Sequence, residues 1–225
     1  MKYLLIIIFL LLGNQVFSKE MYVPESGEIV FEIIRKNKTI GTHTISFIEN
    51  DKDLKVDIEV NINVKLGFLT IYKYRHNNTE YWQEGELIKI STNSLTNSKK
   101  KYFVEGQKNN DFFEYEGVDS RKRTGLDVIP ISYWNYEILD RNVFLDSQKG
   151  ILREFDLKEM ELENIFFNEK NFNAKKYMMK VKTIHSSDEK PFPNLYLWYT
   201  NKGELMKLEF DSPEDKSIIT YNRIK

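Results

Sequence analysis

The chain contains no cysteine, and that absence removes three possibilities together. No disulfide can form, no thiolate can hold a metal or attack a substrate, and no lipid-modified cysteine can anchor the protein. The phosphate loop G-x-x-x-x-G-K-[ST], the dinucleotide fingerprint G-x-G-x-x-G and the G-x-S-x-G elbow of serine hydrolases are also missing. No cofactor is expected. An excess of one charge is lacking too, with 33 basic against 34 acidic residues. The two basic clusters, Lys99-Lys100-Lys101 and Arg121-Lys122-Arg123, lie between strand-like runs and read as solvated loops. A nucleic-acid partner needs a basic face, so none is expected.

Long apolar runs are confined to the start. Met1-Lys2-Tyr3 is a short positive region, Leu4 to Leu12 is unbroken apolar sequence, and Val16-Phe17-Ser18 supplies a cleavage site before Lys19. This is the pattern of a secretory signal peptide cleaved after Ser18. Its apolar stretch is far below the ~20 residues that span a bilayer, and no later segment approaches that length. The expected product is periplasmic or secreted, without a transmembrane segment. Residues 19–225 show no repeat and no linker, so they are expected to form a single β domain.

What is present is alternation. In Leu54 to Leu66, LKVDIEVNINVKL, the residues Leu54, Val56, Ile58, Val60, Ile62 and Val64 share one face, and Lys55, Asp57, Glu59, Asn61 and Asn63 share the other. That is a long strand with one buried and one wet side. Gly67 breaks it, and FLTIYKYRHNNTEYW continues in the same period. Similar runs are GEIVFEIIRK, TIGTHTISFIEN, LIKISTNSLT, KKYFVEGQ and FFEYEG, each separated by Asn, Asp or Gly turns. Short strands at hairpin spacing make an antiparallel meander rather than βαβ units.

The rhythm changes at GLDVIPISYWNYEILD, residues 125–140. Pro130 fixes an extended bend, and Ser132 is a candidate cap for a helix of about two turns near 132–139. VFLDSQKGILREFDL then reads as a hairpin turning at Ser147 to Gly150. Residues 156–170 fit neither period cleanly, and strands are the preferred reading. YMMKVKTI, NLYLWYT, ELMKLEF and KSIITYNRI are strands. The fold class is therefore all-β and mainly antiparallel: a strongly curved sheet, half-barrel or near-closed barrel, with one short helix.

The phrases IGTH at 40–43, YKYRHNNTEYWQEGEL at 72–87, DVIPISYWN at 127–135, LDSQKG at 145–150 and LYLWYTNKGELMKLEF at 195–210 carry a resemblance. Together they resemble an uncharacterised family of exported bacterial proteins, a domain of unknown function, over approximately residues 27–223. That resemblance implies an exported location and no activity. More distantly, a strand meander with a small aromatic helix is similar to the periplasmic lipoprotein carriers, open half-barrels with a cavity for acyl chains. This second likeness is one of fold.

Chemistry is sparsely marked. Alternation puts Phe68, Thr70, Tyr72, Tyr74, His76, Asn78, Glu80 and Trp82 on one face, an aromatic row ending in an imidazole, an amide and a carboxylate. Such a face can be a ligand groove, or a core whose far end reaches solvent. His43 shares its strand face with Ile45 and Phe47. His43, His76 and Glu80 could meet around a metal, although their spacing matches no ligand motif and a lone histidine on an apolar face is usually a core residue. His185 reads as exposed. Paired glutamates such as Glu80 with Glu84 or Glu86 carry little signal among 34 acidic residues. Ser132-Tyr133-Trp134-Asn135 is either a lid over a cavity or a plug in which Trp134 fills the open end of the sheet. Trp82 and Trp198 read as core or rim packing. The sequons at Asn37 and Asn77 are coincidental in a bacterial protein.

The sequence thus favours a non-enzymatic envelope protein that binds a lipid, a lipoprotein acyl chain or another apolar ligand. Tyr72, Tyr74, His76, Trp82, Tyr133 and Trp134 would contact it. One alternative is an envelope hydrolase using His43, His76 and Glu80, which requires the three side chains to converge in an open cleft. Another is an interaction module that pairs with a second envelope protein through a sheet edge.

Overall fold

The computed structural model describes residues 21–97 and 100–225. The signal peptide expected at 1–18 lies outside the described residues. The long strand read from the sequence is flanked by others on both sides, giving fourteen strands among the described residues. They are β1 (Glu28–Arg35), β2 (Lys38–Asn50), β3 (Asp53–Leu66), β4 (Leu69–Gln83), β5 (Glu86–Thr96), β6 (Lys100–Lys108), β7 (Phe113–Glu116) and β8 (Lys122–Thr124). After a connecting segment come β9 (Val143–Leu145), β10 (Leu152–Phe167), β11 (Lys170–Val181), β12 (Leu195–Thr200), β13 (Leu205–Asp211) and β14 (Ile218–Arg223).

All fourteen belong to one sheet, in the order β8-β7-β6-β5-β4-β3-β2-β1-β14-β13-β12-β11-β10-β9. Each neighbouring pair is antiparallel, as hairpin-spaced strands require. The first and last strands meet, with Ile33 opposite Tyr221, so two meanders join edge to edge in the middle of the sheet. The sheet is open: β8 and β9 are its two ends and do not pair with each other. Residues 156–170 are strand, forming most of β10 and the turn into β11.

Alternation decides which face is buried. In β3, Leu54, Val56, Ile58 and Val60 are buried and Glu59 is exposed. The inward positions of β1 to β5 and β12 to β14 contribute to one core cluster, including Phe31, Val56, Ile90, Leu197 and Leu208. A smaller cluster of Ala174, Trp198 and Met206 lies on the opposite face. There the Trp198 indole donates to Glu163 at 2.9 Å, and the Lys176 and Lys207 ammonium groups lie 4.8 and 4.6 Å from its ring. Trp198 is therefore packed on the outer face beneath cations.

The segment between β8 and β9 crosses the concave face. Pro130 and Ile131 run beside β9, and the Ile131 amide donates to Leu145 O at 2.9 Å. The short helix expected near 132–139 is a single 3-10 turn, Tyr136–Asp140, and its cap is Asn135 rather than Ser132. The reason is local. The Ser132 amide turns back on Pro130 O at 2.9 Å, and Tyr133 takes a left-handed φ of 67°. No helix can begin through such a residue, so it starts only where the Asn135 side chain accepts from the Glu137 amide. A non-glycine residue at positive φ costs ~1–3 kcal/mol and persists when its surroundings hold it. Here the Tyr199 hydroxyl donates to Tyr133 O at 2.7 Å, and Trp134 is buried beyond it.

The gap between the two ends of the sheet is filled by a turn rather than by strand pairing. The Val118 amide donates to Lys149 O at 2.8 Å. Gly117 and Gly150 permit this approach: a Cβ on Gly117 would stand 2.2 Å from Lys149 O. The basic residues Lys101, Arg121, Lys122 and Arg123 are exposed, as expected, though Lys101, Lys122 and Arg123 lie within strands rather than loops.

Candidate functional site

Register places the titratable residues of the concave face. His43 lies opposite Val60, Val60 opposite His76, and His76 opposite Ser94, so the two imidazoles point inward from one cross-strand row. With strands ~4.8 Å apart, their backbones are separated by about 10 Å. Between and above them is a cavity of about 120 Å³. It is lined by Ile58, Val60, Tyr74, Asn78 and Tyr221 from the sheet, by Ser132 and Tyr133 from the crossing segment, and by Asp146, Ser147, Gln148 and Phe192 from the loops at its mouth.

Both imidazoles are buried, but they are not equivalent. His76 Nδ1 is 2.7 Å from Ser94 Oγ, and its ring stacks at 7° on Tyr74. His43 has ring contacts with Phe31 at 5.8 Å and, edge-on, with Tyr221 at 5.7 Å. Neither of its ring nitrogens has a hydrogen-bond partner, and the buried Oδ1 of Asn78, a residue lining the same cavity, has none. Burial pushes the His43 imidazole down to about 3, with His76 adding repulsion. Burial likewise holds His76 at about 4, opposed by the Asp146 carboxylate. Both rings are neutral near pH 7, each with one donor and one acceptor nitrogen. The Tyr74, Tyr133 and Tyr221 phenols are raised by burial and stay protonated.

Glu80 belongs to a different constellation. It sits four residues further along β4, fully buried. Asn78 Nδ2 donates to its Oε1 at 2.8 Å, while the Trp82 and Trp134 indoles both donate to its Oε2 at 3.0 Å. Burial pushes this carboxyl up, and those donors, with Ser132, pull against the shift. The Trp134 ring meets Trp82 at 87° and Phe47 at 82°, both edge to face. Glu80 is thus the pin that fastens the crossing segment to the sheet, and its oxygens are spent on that task.

The six residues expected to contact a ligand divide accordingly. Tyr74, His76 and Tyr133 line the cavity together. Tyr72 lies one inward step beyond Tyr74 and is partly exposed. Trp82 and Trp134 are in the core around Glu80, away from the lining, so Trp134 fills the plug role. His43, His76 and Glu80 do not converge, and no group of three or more His, Asp or Glu side chains among the described residues could hold a metal. His185 is half-buried rather than exposed, with Nε2 3.3 Å from Asp119 Oδ2 and Nδ1 2.9 Å from Ser187 Oγ.

Sequence reading missed the group that shapes the mouth. Arg153 is buried and donates through Nε to Asp146 at 2.8 Å and through its two terminal nitrogens to Asp188 at 2.9 and 2.8 Å. Lys149 adds a 2.6 Å bond to Asp188. Burial raises that carboxyl, but the hydrogen bonds from Arg153, Lys149 and the His185 amide outweigh it and hold the group well below its usual range. Phe192 covers the guanidinium at 5.2 Å. One available signal was parity: Arg153 and Phe155 share the buried face of β10, in step with buried Ile151 just before it, and a charge there needs partners.

This geometry defines an open, barrel-like antiparallel β protein with a small, mainly apolar cavity between its sheet and a crossing segment. The chain belongs to the family described as a domain of unknown function, DUF6134, whose model matches residues 31–223. Among solved structures it is similar to a beta-barrel-like protein of domain of unknown function DUF1849 from Brucella abortus. The TM-score is 0.62 at 6% identity, over 88% of this chain and 95% of that one. Looser matches are a protein assigned as a lipoprotein from Parabacteroides distasonis (TM-score 0.39, 11% identity, 88% and 92% covered) and one assigned as exported, with a YmcC-like fold, from Bacteroides fragilis (0.37, 9%, 88% and 93%). At these identities the likeness is of fold alone. No curated protein matches the chain. Among the described residues no helix is long and apolar enough to cross a membrane, which says nothing of β-barrels.

Proposed function

We propose that this is an exported envelope protein that binds, without catalysis, the polar end of an apolar or amphipathic molecule in the cavity of its curved sheet. The observation behind this reading is a set of buried, unpaired polar atoms on residues that line that cavity: both ring nitrogens of His43 and the Asn78 amide oxygen. An unmet buried hydrogen-bonding group costs ~1–3 kcal/mol, and native proteins carry few of them. A ligand group that hydrogen-bonds one of the ring nitrogens removes part of that cost. The neutral imidazoles suit an uncharged partner such as a hydroxyl or amide, and Ile58, Val60 and the tyrosine rings suit an alkyl or aromatic body.

Size narrows the reading. A cavity of about 120 Å³ has room for roughly four waters or one ring-sized group. It holds one end of a lipid-like molecule rather than an entire acyl chain. The hydrolase alternative loses its support because Glu80 is committed to Asn78, Trp82 and Trp134. Edge pairing is disfavoured at β10, whose margin beyond Glu154 carries Asp156, Lys158, Glu159, Glu161 and Glu163.

Native mass spectrometry of the mature protein, purified gently from its own envelope fraction and then extracted with organic solvent, tests the proposal. The expected result is a bound mass in the wild type that His43→Phe loses while remaining folded. Removing the orphaned ring nitrogens should also raise stability in urea by ~1 kcal/mol. A wild-type protein that carries nothing, or a variant that retains the adduct, contradicts the reading.

A further inference from the structure

The β3–β4 hairpin outruns its neighbours. β2 accompanies β3 only as far as Gly41 opposite Ile62, and β5 accompanies β4 only from Tyr74 opposite Thr96. Residues 63–72 therefore form a bare two-stranded arm that turns at Gly67 and Phe68. Its apolar side chains are turned to solvent: Phe68 is 95% exposed, Leu69 59% and Ile71 56%. A hairpin without a packed face is marginal in water, and a clustered apolar tip on a soluble protein marks a contact surface.

Charge identifies the contact. From Val60 to Thr79 the sequence has no acidic residue, while Lys65, Lys73 and Arg75 are basic and exposed. Lys101 adds an exposed cation at the start of the neighbouring β6, whose β5 partner turns beside Lys73: the Asn97 amide donates to Lys73 O at 2.7 Å. Glu214 is an exposed acidic group whose field reaches the arm, at Tyr72. An apolar tip behind a mainly cationic collar complements a bilayer with anionic headgroups. A second copy of the chain is a poor occupant, because a two-fold contact would set the same lysines against each other. Strand direction supplies the functional link. The arm leaves the sheet at the end where Tyr74 lines the cavity, with Tyr72 the next inward residue.

We propose that this arm is a membrane-surface anchor: Phe68, Leu69 and Ile71 enter the acyl boundary of an anionic bilayer while Lys65 and Lys73 lie among its phosphates. Binding is reversible, since a small apolar tip with a few cations gives only marginal affinity. The anchor holds the cavity mouth at the lipid surface.

Co-sedimentation of the mature protein with vesicles of phosphatidylethanolamine and phosphatidylglycerol, compared with vesicles of phosphatidylcholine alone, tests this. The wild type should partition onto the anionic vesicles at low salt and release as salt rises. The double variants Phe68→Asp/Ile71→Asp and Lys65→Glu/Lys73→Glu should each lose at least about tenfold in partitioning. Both should keep the wild-type urea midpoint, because the altered side chains are exposed. No wild-type partitioning, partitioning retained in either variant, or equal binding to the neutral vesicles overturns the proposal. So does wild-type self-association that the variants abolish. None of the four altered residues lines the cavity, so failure here leaves the ligand reading standing, and failure of that reading leaves the anchor.

Discussion

Replacing Arg153 with Met should destabilise the protein by ~3–5 kcal/mol, the usual cost of stranding buried carboxylates without their cation. Arg153 is 1% exposed and holds Asp146 and Asp188 together. Without it, Asp146 keeps only the Gln148 and Lys149 amides, and Asp188 keeps Lys149 and the His185 amide. Urea unfolding followed by tryptophan fluorescence measures the loss. Arg121→Met is the control, since Arg121 pairs with Glu114 and Glu116 at the exposed surface and should cost ~0–1 kcal/mol. A loss at Arg153 no larger than at Arg121 would show that the mouth of the cavity is not built as described. The folded fraction of the Arg153 variant should also bind more weakly, because Asp146, Ser147 and Gln148 line the cavity on the turn that Arg153 secures.

Trp134→Ala carries the second large effect. Truncating a buried tryptophan typically costs ~3–5 kcal/mol. Here the indole also supplies one of the bonds that satisfy Glu80. Trp134→Phe separates the two contributions. It retains most of the contact with Trp82 and Phe47, loses only the donor, and should cost ~1–3 kcal/mol. If the Ala and Phe variants unfold at the same urea concentration, packing contributes little and the crossing segment is not pinned by its ring. If the Phe variant matches the wild type, the bond to Glu80 is not what fastens it.

These two residues also mark the border of what the sequence reveals. Strands were legible wherever one face is wet, because Leu54 to Val64 and Tyr74 to Trp82 alternate with period two. The all-β class and the inward direction of Tyr74, His76 and Trp82 follow from that period, while the choice between an open and a near-closed sheet does not. Long-range partners do not. Glu80 and Trp134 are 54 residues apart, and Arg153 and Asp188 are 35 apart. No local pattern links such pairs; only burial parity hints that a charge at Arg153 or Glu80 requires company. The crossing segment misled for another reason. Ser132 and Asn135 are both good helix caps by residue type, and the left-handed Tyr133 that decides between them has no sequence signature. Likewise Trp134 looked as suitable for a ligand surface as for a core, since an indole serves both.

The central claim is that the unpaired imidazole of His43 is where the cavity meets its ligand. Ring-nitrogen NMR of ¹⁵N-histidine-labelled protein, recorded before and after organic extraction, tests this directly, because the chain has only three histidines. Extraction should shift both His43 nitrogens, move His76 less because Ser94 already holds it, and leave His185 beside Asp119 unchanged. His43 and His76 should also remain neutral at pH 5, as their depressed values of about 3 and 4 require. A His43 signal that is identical in both preparations, or protonated at pH 5, would contradict the account.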